Sequence, residues 1–281
     1  MKLKNKLLFL FIFSGFANLG ITAIDQSKGS FEDKFRQLDE AFPSPNLSRP
    51  ATGEPGPTYW QQRADYKIQI KLNEDSRSVE GSETITYTNN SPLTLKYIWL
   101  QLDQNIFAKE SINNLTRPWN GGDSSVDFST LRRQNFMDDF EGGFQELSIK
   151  VNNQNVKTNV VGTHVRINLN QPLSPGESTK LNIAWSYALV EENAVRARNG
   201  YETFEDGNDI FLLAQWYPRV TVFSDYEGWH NKEFIGNGEF TLEFGNFEVD
   251  ISVPSDHVVS ATGELLNESD VLSSKQRKRM K

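Results

Sequence analysis

Residues 64–72 read ADYKIQIKL, and the alternation within them decides the fold. Tyr66, Ile68, Ile70 and Leu72 take every second position, with Asp65, Lys67, Gln69 and Lys71 between them. Successive side chains of a strand point to opposite faces, so a period of two makes one apolar and one polar face. That is a half-buried strand. The same period returns in Val79–Asn90, where Ile85 and Tyr87 sit among threonines before the turn Asn89-Asn90-Ser91-Pro92. Leu93–Leu102 is apolar on both faces and predicts a central strand. Further strands are expected at Gln145–Val151, Val156–Val161, His164–Leu169, Thr179–Tyr187, Ile210–Ala214, Glu239–Phe244, Phe247–Val253 and Val258–Ala261. Many short strands with regular turns and almost no helix predict an all-β fold, a large antiparallel sandwich or saddle over residues 59–266. Residues 104–143 lose the pattern and read as a long excursion rich in Asn, Gly and Asp.

Outward from this block, the N-terminus has the layout of an export signal. Lys2, Lys4 and Lys6 precede an apolar run from Leu7 to Phe13, and small residues lead to Ala23. The run is too short to span a bilayer comfortably, so residues 1–23 read as a secretory signal peptide. The expectation is an exported protein, periplasmic or extracellular, with no stable membrane span after cleavage. Residues 24–58 are a lead-in. Phe31, Phe35, Leu38 and Phe42 form the stripe of a short amphipathic helix, and five prolines from Pro43 to Pro57 then forbid regular structure. At the other end, Ser269-Asp270 reads as a helix start ahead of a closing stretch, KQRKRMK, in which five of seven residues are basic. A polar helix of this kind needs something to pack on. Residues 267–281 are therefore expected to begin a helical connection to a further domain.

The 281 residues carry a formal net charge of -8, which becomes -11 if cleavage after Ala23 removes three lysines. An acidic chain argues against nucleic acid, which needs a basic footprint. There is no cysteine, hence no disulfide, thiol nucleophile or acyl-anchoring cysteine. Stability falls to a large core, for which 19 Phe, 8 Tyr and 6 Trp supply material.

A search for chemistry finds little. His164, His230 and His257 lie in separate segments, none followed by Glu, so local zinc-ligand spacing is missing. There is no G-x-S-x-G elbow and no glycine-rich phosphate loop. Acidic clusters at Asp138-Asp139-Glu141 and at Glu202, Glu205, Asp206 and Asp209 do not follow the EF-hand order and read as solvated loop acids. Trp119, Trp216, Tyr217 and Trp229 offer the rings of a sugar-binding surface, but in an aromatic-rich sheet protein the plain reading is core and edge packing. The expected catalytic and metal residues in this chain are none.

Four segments carry a resemblance: PGPTYWQQRADYKIQI (Pro55–Ile70), GSETITYTNNSPLTLKYIWLQLDQNIF (Gly81–Phe107), LLAQWYPRVTVFSDYEGW (Leu212–Trp229) and GNGEFTLEFGNFEVDISVPSDHVVSATGEL (Gly236–Leu265). Together, in this order, they resemble the N-terminal β domain of bacterial secreted relatives of the aminopeptidase-N-like zinc metallopeptidases. The resemblance implies an antiparallel β saddle that caps the active-site cleft. It also implies a following thermolysin-like domain holding zinc through HExxH and a later glutamate, with a G-x-M-E-N loop that clamps the substrate. Neither motif occurs in these 281 residues, so no cofactor is expected here and the zinc belongs to a missing catalytic domain. In the family the β domain lends a polar side chain to the substrate's free amine. The comparable stretch is Ala214-Gln215-Trp216-Tyr217-Pro218-Arg219, which makes Gln215 the candidate polar contact and Tyr217 a wall of the pocket. A strand-end glutamine bonded to backbone is the other reading of Gln215. The implied partners are the catalytic domain of the same parent and the amino-terminus of a peptide substrate. Two other readings stand beside this one: a stand-alone β-sandwich module binding peptides or glycans, and an inactive homologue that competes for substrates or partners.

Overall fold

The alternation at residues 64–72 becomes β1 (Arg63–Asn73), whose even-numbered side chains from Ala64 to Leu72 are all buried. A computed structural model describes residues 45–116, 126–238 and 241–280. The signal-peptide stretch, the amphipathic stripe from Phe31 to Phe42 and Trp119 lie outside the described residues. The chain divides into two compact units, residues 1–59 and 60–281. In the first, the described part is a turn: Asn46 Oδ1 accepts from the Ser48 and Arg49 N–H groups, and Ser48 and Thr58 join hydroxyls at 2.8 Å. The described residues of the lead-in, 45–58, form neither helix nor strand.

The second unit holds the β domain. After β1 come β2 (Ser78–Thr88), β3 (Leu95–Gln101), β4 (Gln145–Val151), β5 (Gln154–Asn155), β6 (Thr158–Val161), β7 (His164–Leu173) and β8 (Ser178–Ala188). Then follow β9 (Gly200–Thr203), β10 (Asp209–Leu212), β11 (Arg219–Val220), β12 (Phe223–Ser224), β13 (Gly228–Trp229) and β14 (Phe247–Ser252). One sheet has six strands in the order β14-β1-β2-β8-β4-β5, and a second has four in the order β11-β3-β7-β6. β3 is interior to its sheet, as its two apolar faces required. The all-β class holds, and among the described strand pairs one departs from antiparallel order: β14 runs parallel to β1, Phe247 opposite Tyr66 and Ile251 opposite Ile70. Parallel neighbours need a long crossover, and here nearly the whole domain lies between them.

Side chains cross the large sheet in rows. Phe247, Tyr66, Ile85, Leu181 and Val151 form one, and Val249, Ile68, Glu83, Ile183 and Ile149 the next. In a third row, Ile251, Ile70, Gly81 and Trp185, the glycine is required. A Cβ there would fall 2.3 Å from Trp185 Cζ2, so the indole fills the space a side chain would take. The sheets join across the core where the Val220 N–H donates to the Tyr66 hydroxyl at 2.9 Å, and where Trp229 meets both Tyr87 and Tyr97.

Helices are short: α1 (Ile112–Leu115), α2 (Phe128–Asp139), α3 (Glu192–Val195), α4 (Glu268–Val271) and α5 (Ser274–Met280). The excursion at 104–143 is thus not wholly irregular. Phe136, Met137 and Phe140 pack on Val190, Ala194 and Val195, a small satellite core that α2 serves. The expected strand at Glu239–Phe244 is reduced, among its described residues, to single bridges at Leu242 and Phe244, and Val258–Ala261 forms no strand. The closing basic stretch is helical, but its start is not Ser269. Ser273 Oγ accepts from the Gln276 N–H while Gln276 Oε1 accepts from the Ser273 N–H, a capping box that opens α5. No described helix is long and apolar enough to cross a membrane.

Candidate functional site

Gln215 and Tyr217 lie in the irregular link between β10 and β11, where Pro218 prevents the strand from continuing unbroken. Gln215 has φ +53°, a left-handed conformation that costs a non-glycine residue free energy unless its surroundings hold it. Gln104 does the holding. Its buried Nε2 donates to the carbonyls of Ala214 (3.2 Å) and Gln215 (3.0 Å), and its Oε1 accepts from Asn199 Nδ2 at 2.6 Å. The Gln215 side-chain amide itself has no hydrogen-bond partner among the described residues. So the backbone of Gln215 is fixed, while its side chain stays available. The alternative, a glutamine whose side chain caps local backbone, is not what the geometry has.

Tyr217 packs among aromatic side chains of the domain. Its ring meets Tyr66 edge-on at 5.5 Å, Trp216 at 4.7 Å and Phe247 at 6.2 Å. Burial pushes its hydroxyl up to about 12, so it stays protonated at neutral pH. Beyond it, Arg219 donates through Nε and Nη2 to Asp103 Oδ2 at 3.0 and 2.6 Å, and through Nη2 to Gln101 Oε1 at 3.0 Å. Burial raises the Asp103 pKa, and the guanidinium opposes that shift without cancelling it. On the other flank, buried Glu83 has no partner for either carboxylate oxygen among the described residues, and burial drives its pKa far up. A neutral, protonated Glu83 follows.

Elsewhere among the described residues, titratable side chains gather in smaller groups. Ser224 Oγ and His230 Nε2 stand 2.8 Å apart, and Glu227 approaches the same nitrogen at 3.8 Å. His164 is buried against Trp99, its pKa lowered to about 4 by burial. Glu74, Asp256 and His257 bring one ligand atom each within 4.8 Å of one another, because parallel pairing sets the ends of β1 and β14 side by side. Sequence reading missed that convergence, since nothing local links residue 74 to 257. Its Asp256 is exposed and pairs at 3.1 Å with Nδ1 of the largely buried His257. From the acidic loop clusters, Glu141 pairs with Lys109 and Asp209 with Arg77. Trp216 packs on Trp185, and Trp229 is buried among Phe223, Tyr87 and Tyr97, so these rings are packing elements.

No family model matches the chain, and no curated protein matches it. Among solved structures it is similar to an M1 zinc metallopeptidase from Deinococcus radiodurans, at 15% identity over 75% of this chain and 36% of that one, with TM-score 0.38. It is similar also to a mutant of that enzyme bound to a Tyr-Ser-Ala substrate, at 15% identity over 73% of this chain and 35% of that one, with TM-score 0.38. A third is a two-domain M1 zinc metallopeptidase mutant bound to L-tryptophan, at 14% identity over 76% of this chain and 39% of that one, with TM-score 0.35. The chain spans between 35% and 39% of the length of these three structures.

Proposed function

We propose that this chain is the non-catalytic, substrate-capping β domain of an exported aminopeptidase-N-like zinc metallopeptidase. One observation carries the reading: the four segments that resemble that family meet at one place. Tyr217, from Leu212–Trp229, packs on Tyr66, from Pro55–Ile70, and on Phe247, from Gly236–Leu265. Gln104, from Gly81–Phe107, holds the carbonyl of Gln215. Stretches scattered along the sequence thus build a single cluster, as a shared site would demand of them.

In this reading Gln215 offers its side-chain amide oxygen to a peptide's amino-terminus, and Tyr217 walls the pocket. Gln104 pre-sets the Gln215 backbone, so little ordering entropy is lost when a ligand arrives. The zinc and its general base come from the catalytic domain of the same parent, where the metal activates the attacking water. The β domain by itself holds no zinc, cleaves nothing and binds no nucleic acid. The test is to incubate the purified chain with zinc and aminoacyl-chromophore substrates. No turnover is expected, and chelator-sensitive release of the chromophore would overturn the proposal. Placed beside a zinc-bearing catalytic domain of this family in one polypeptide, Gln215→Ala should raise KM for substrates with a free amino-terminus and leave amino-blocked ones unchanged.

A further inference from the structure

The six-stranded sheet ends differently at its two edges. At one, β5 covers only Lys150 and Val151 of β4, and the rest of that edge is interrupted by a register shift between Gln145 and Ser148. At the other stands β14, six residues with no proline and no lysine, and no described strand pairs with its outer edge. Natural sheets blunt such edges with brevity, charge, bulges or a covering element. β14 has only charge, and that on one face.

Its inward face continues the core rows. Phe247, Val249 and Ile251 extend the rows of buried Tyr66, Ile68 and Ile70, yet they are 50%, 38% and 42% exposed. Its outward face carries Glu248 and Asp250. Lys67 of β1 meets Glu248 at 2.7 Å, whereas Asp250 faces Gln69 across the ladder and makes no ion pair. A strand added to this edge therefore finds apolar, acidic, apolar, acidic, apolar in sequence.

We propose that the outer edge of β14 is a strand-addition site for an extended polypeptide segment in which apolar residues alternate with lysine or arginine. Backbone pairing supplies affinity in such sites, and alternate side chains supply specificity. Apolar residues of the incoming strand would cover Phe247, Val249 and Ile251, and its cations would stand against Glu248 and Asp250. Charge excludes a second copy as occupant. Two β14 strands pairing antiparallel about Val249, the register that joins the apolar rows, set each Glu248 opposite an Asp250. Like charges directly opposite one another destabilise a ladder. The inference stands on the edge alone, without the peptidase reading.

The experiment measures fluorescence anisotropy of the full chain with two synthetic peptides, one alternating isoleucine and lysine, the other isoleucine and glutamate. The lysine peptide should bind about tenfold tighter, the effect of two favourable cross-strand charge pairs replacing two unfavourable ones. Amides of residues 247–252 should slow in hydrogen exchange when it binds. The double variant Glu248→Lys, Asp250→Lys, which changes only exposed side chains, should reverse the preference. Val249→Ser should weaken both peptides, and the charge reversal keeps the test valid if that variant folds poorly. Equal binding of both peptides, binding without protection at 247–252, or no binding would overturn the proposal. A concentration-dependent dimer abolished by Val249→Ser would overturn it in favour of self-pairing.

Discussion

The middle of the six-stranded sheet and its β14 edge are built from the same alternation, and only one of them is finished. In the row from Phe247 to Val151, the three central residues Tyr66, Ile85 and Leu181 are buried on both flanks. Phe247, at the end of that row, is half exposed. The apolar pattern is thus a property of the strand, while burial is a property of its neighbours. In the middle those neighbours are present among the described residues. At β14 one side has none.

That difference can be tested by truncating matched side chains. Leu181→Ala should cost the most, about 4 kcal/mol in urea unfolding, because the hole left in the closed centre cannot collapse. A loss below about 1 kcal/mol would mean that the centre is loosely packed.

The next effect is one of pH and reports on the wall between the sheets. Glu243 accepts the Phe223 N–H at 2.9 Å, and burial lifts its pKa to about 7. A carboxyl with a raised folded pKa stabilises the fold below its unfolded pKa and loses that contribution as pH rises through the folded value. Stability should therefore fall between about pH 4.5 and pH 7 by up to about 3 kcal/mol from this group, and Glu243→Gln should flatten that slope. His164 works the other way, losing stability as pH falls from 6.5 toward about 4, while Glu83 and Asp103, also raised by burial, keep the Glu243 sign, so the variant's slope should shrink by the Glu243 share alone. An unchanged slope in Glu243→Gln would show that the carboxyl is solvated.

Glu83 is the polar intruder in the row that ends at exposed Val249. With no partner for either oxygen, it is costly to bury, so Glu83→Met should stabilise the chain by about 1 kcal/mol at neutral pH. Destabilisation by that much would reveal a hidden partner. The smallest effect belongs to the edge. Val249→Ala should cost under about 1 kcal/mol in the free chain, since much of the side chain is already in water.

The same contrast explains what the sequence disclosed. β1 and β4 were legible to within a residue, because alternation and turn residues are local signals. β14 was legible as a strand, but not its parallel place beside β1, which depends on pairing across most of the domain. The α5 start was readable as Ser273 followed by Gln276, and the acidic Ser269-Asp270 drew attention from it. Around the candidate site, Gln215 and Tyr217 were named from a resemblance. Their supports were not: Gln104 lies 111 residues from Gln215, and no composition signal announces a glutamine that holds two carbonyls. Glu83 escaped for a similar reason. Its odd-numbered position puts it on the face of Ile85 and Tyr87, but a lone glutamate among threonines reads as a solvent-facing residue.

Residue-resolved hydrogen exchange on the free chain tests the central contrast most directly. Amides of β2 and β8, paired on both sides, should exchange only through global unfolding, while those of β14 should exchange orders of magnitude faster through local opening at the edge. Protection of β14 equal to that of β8 would contradict the account.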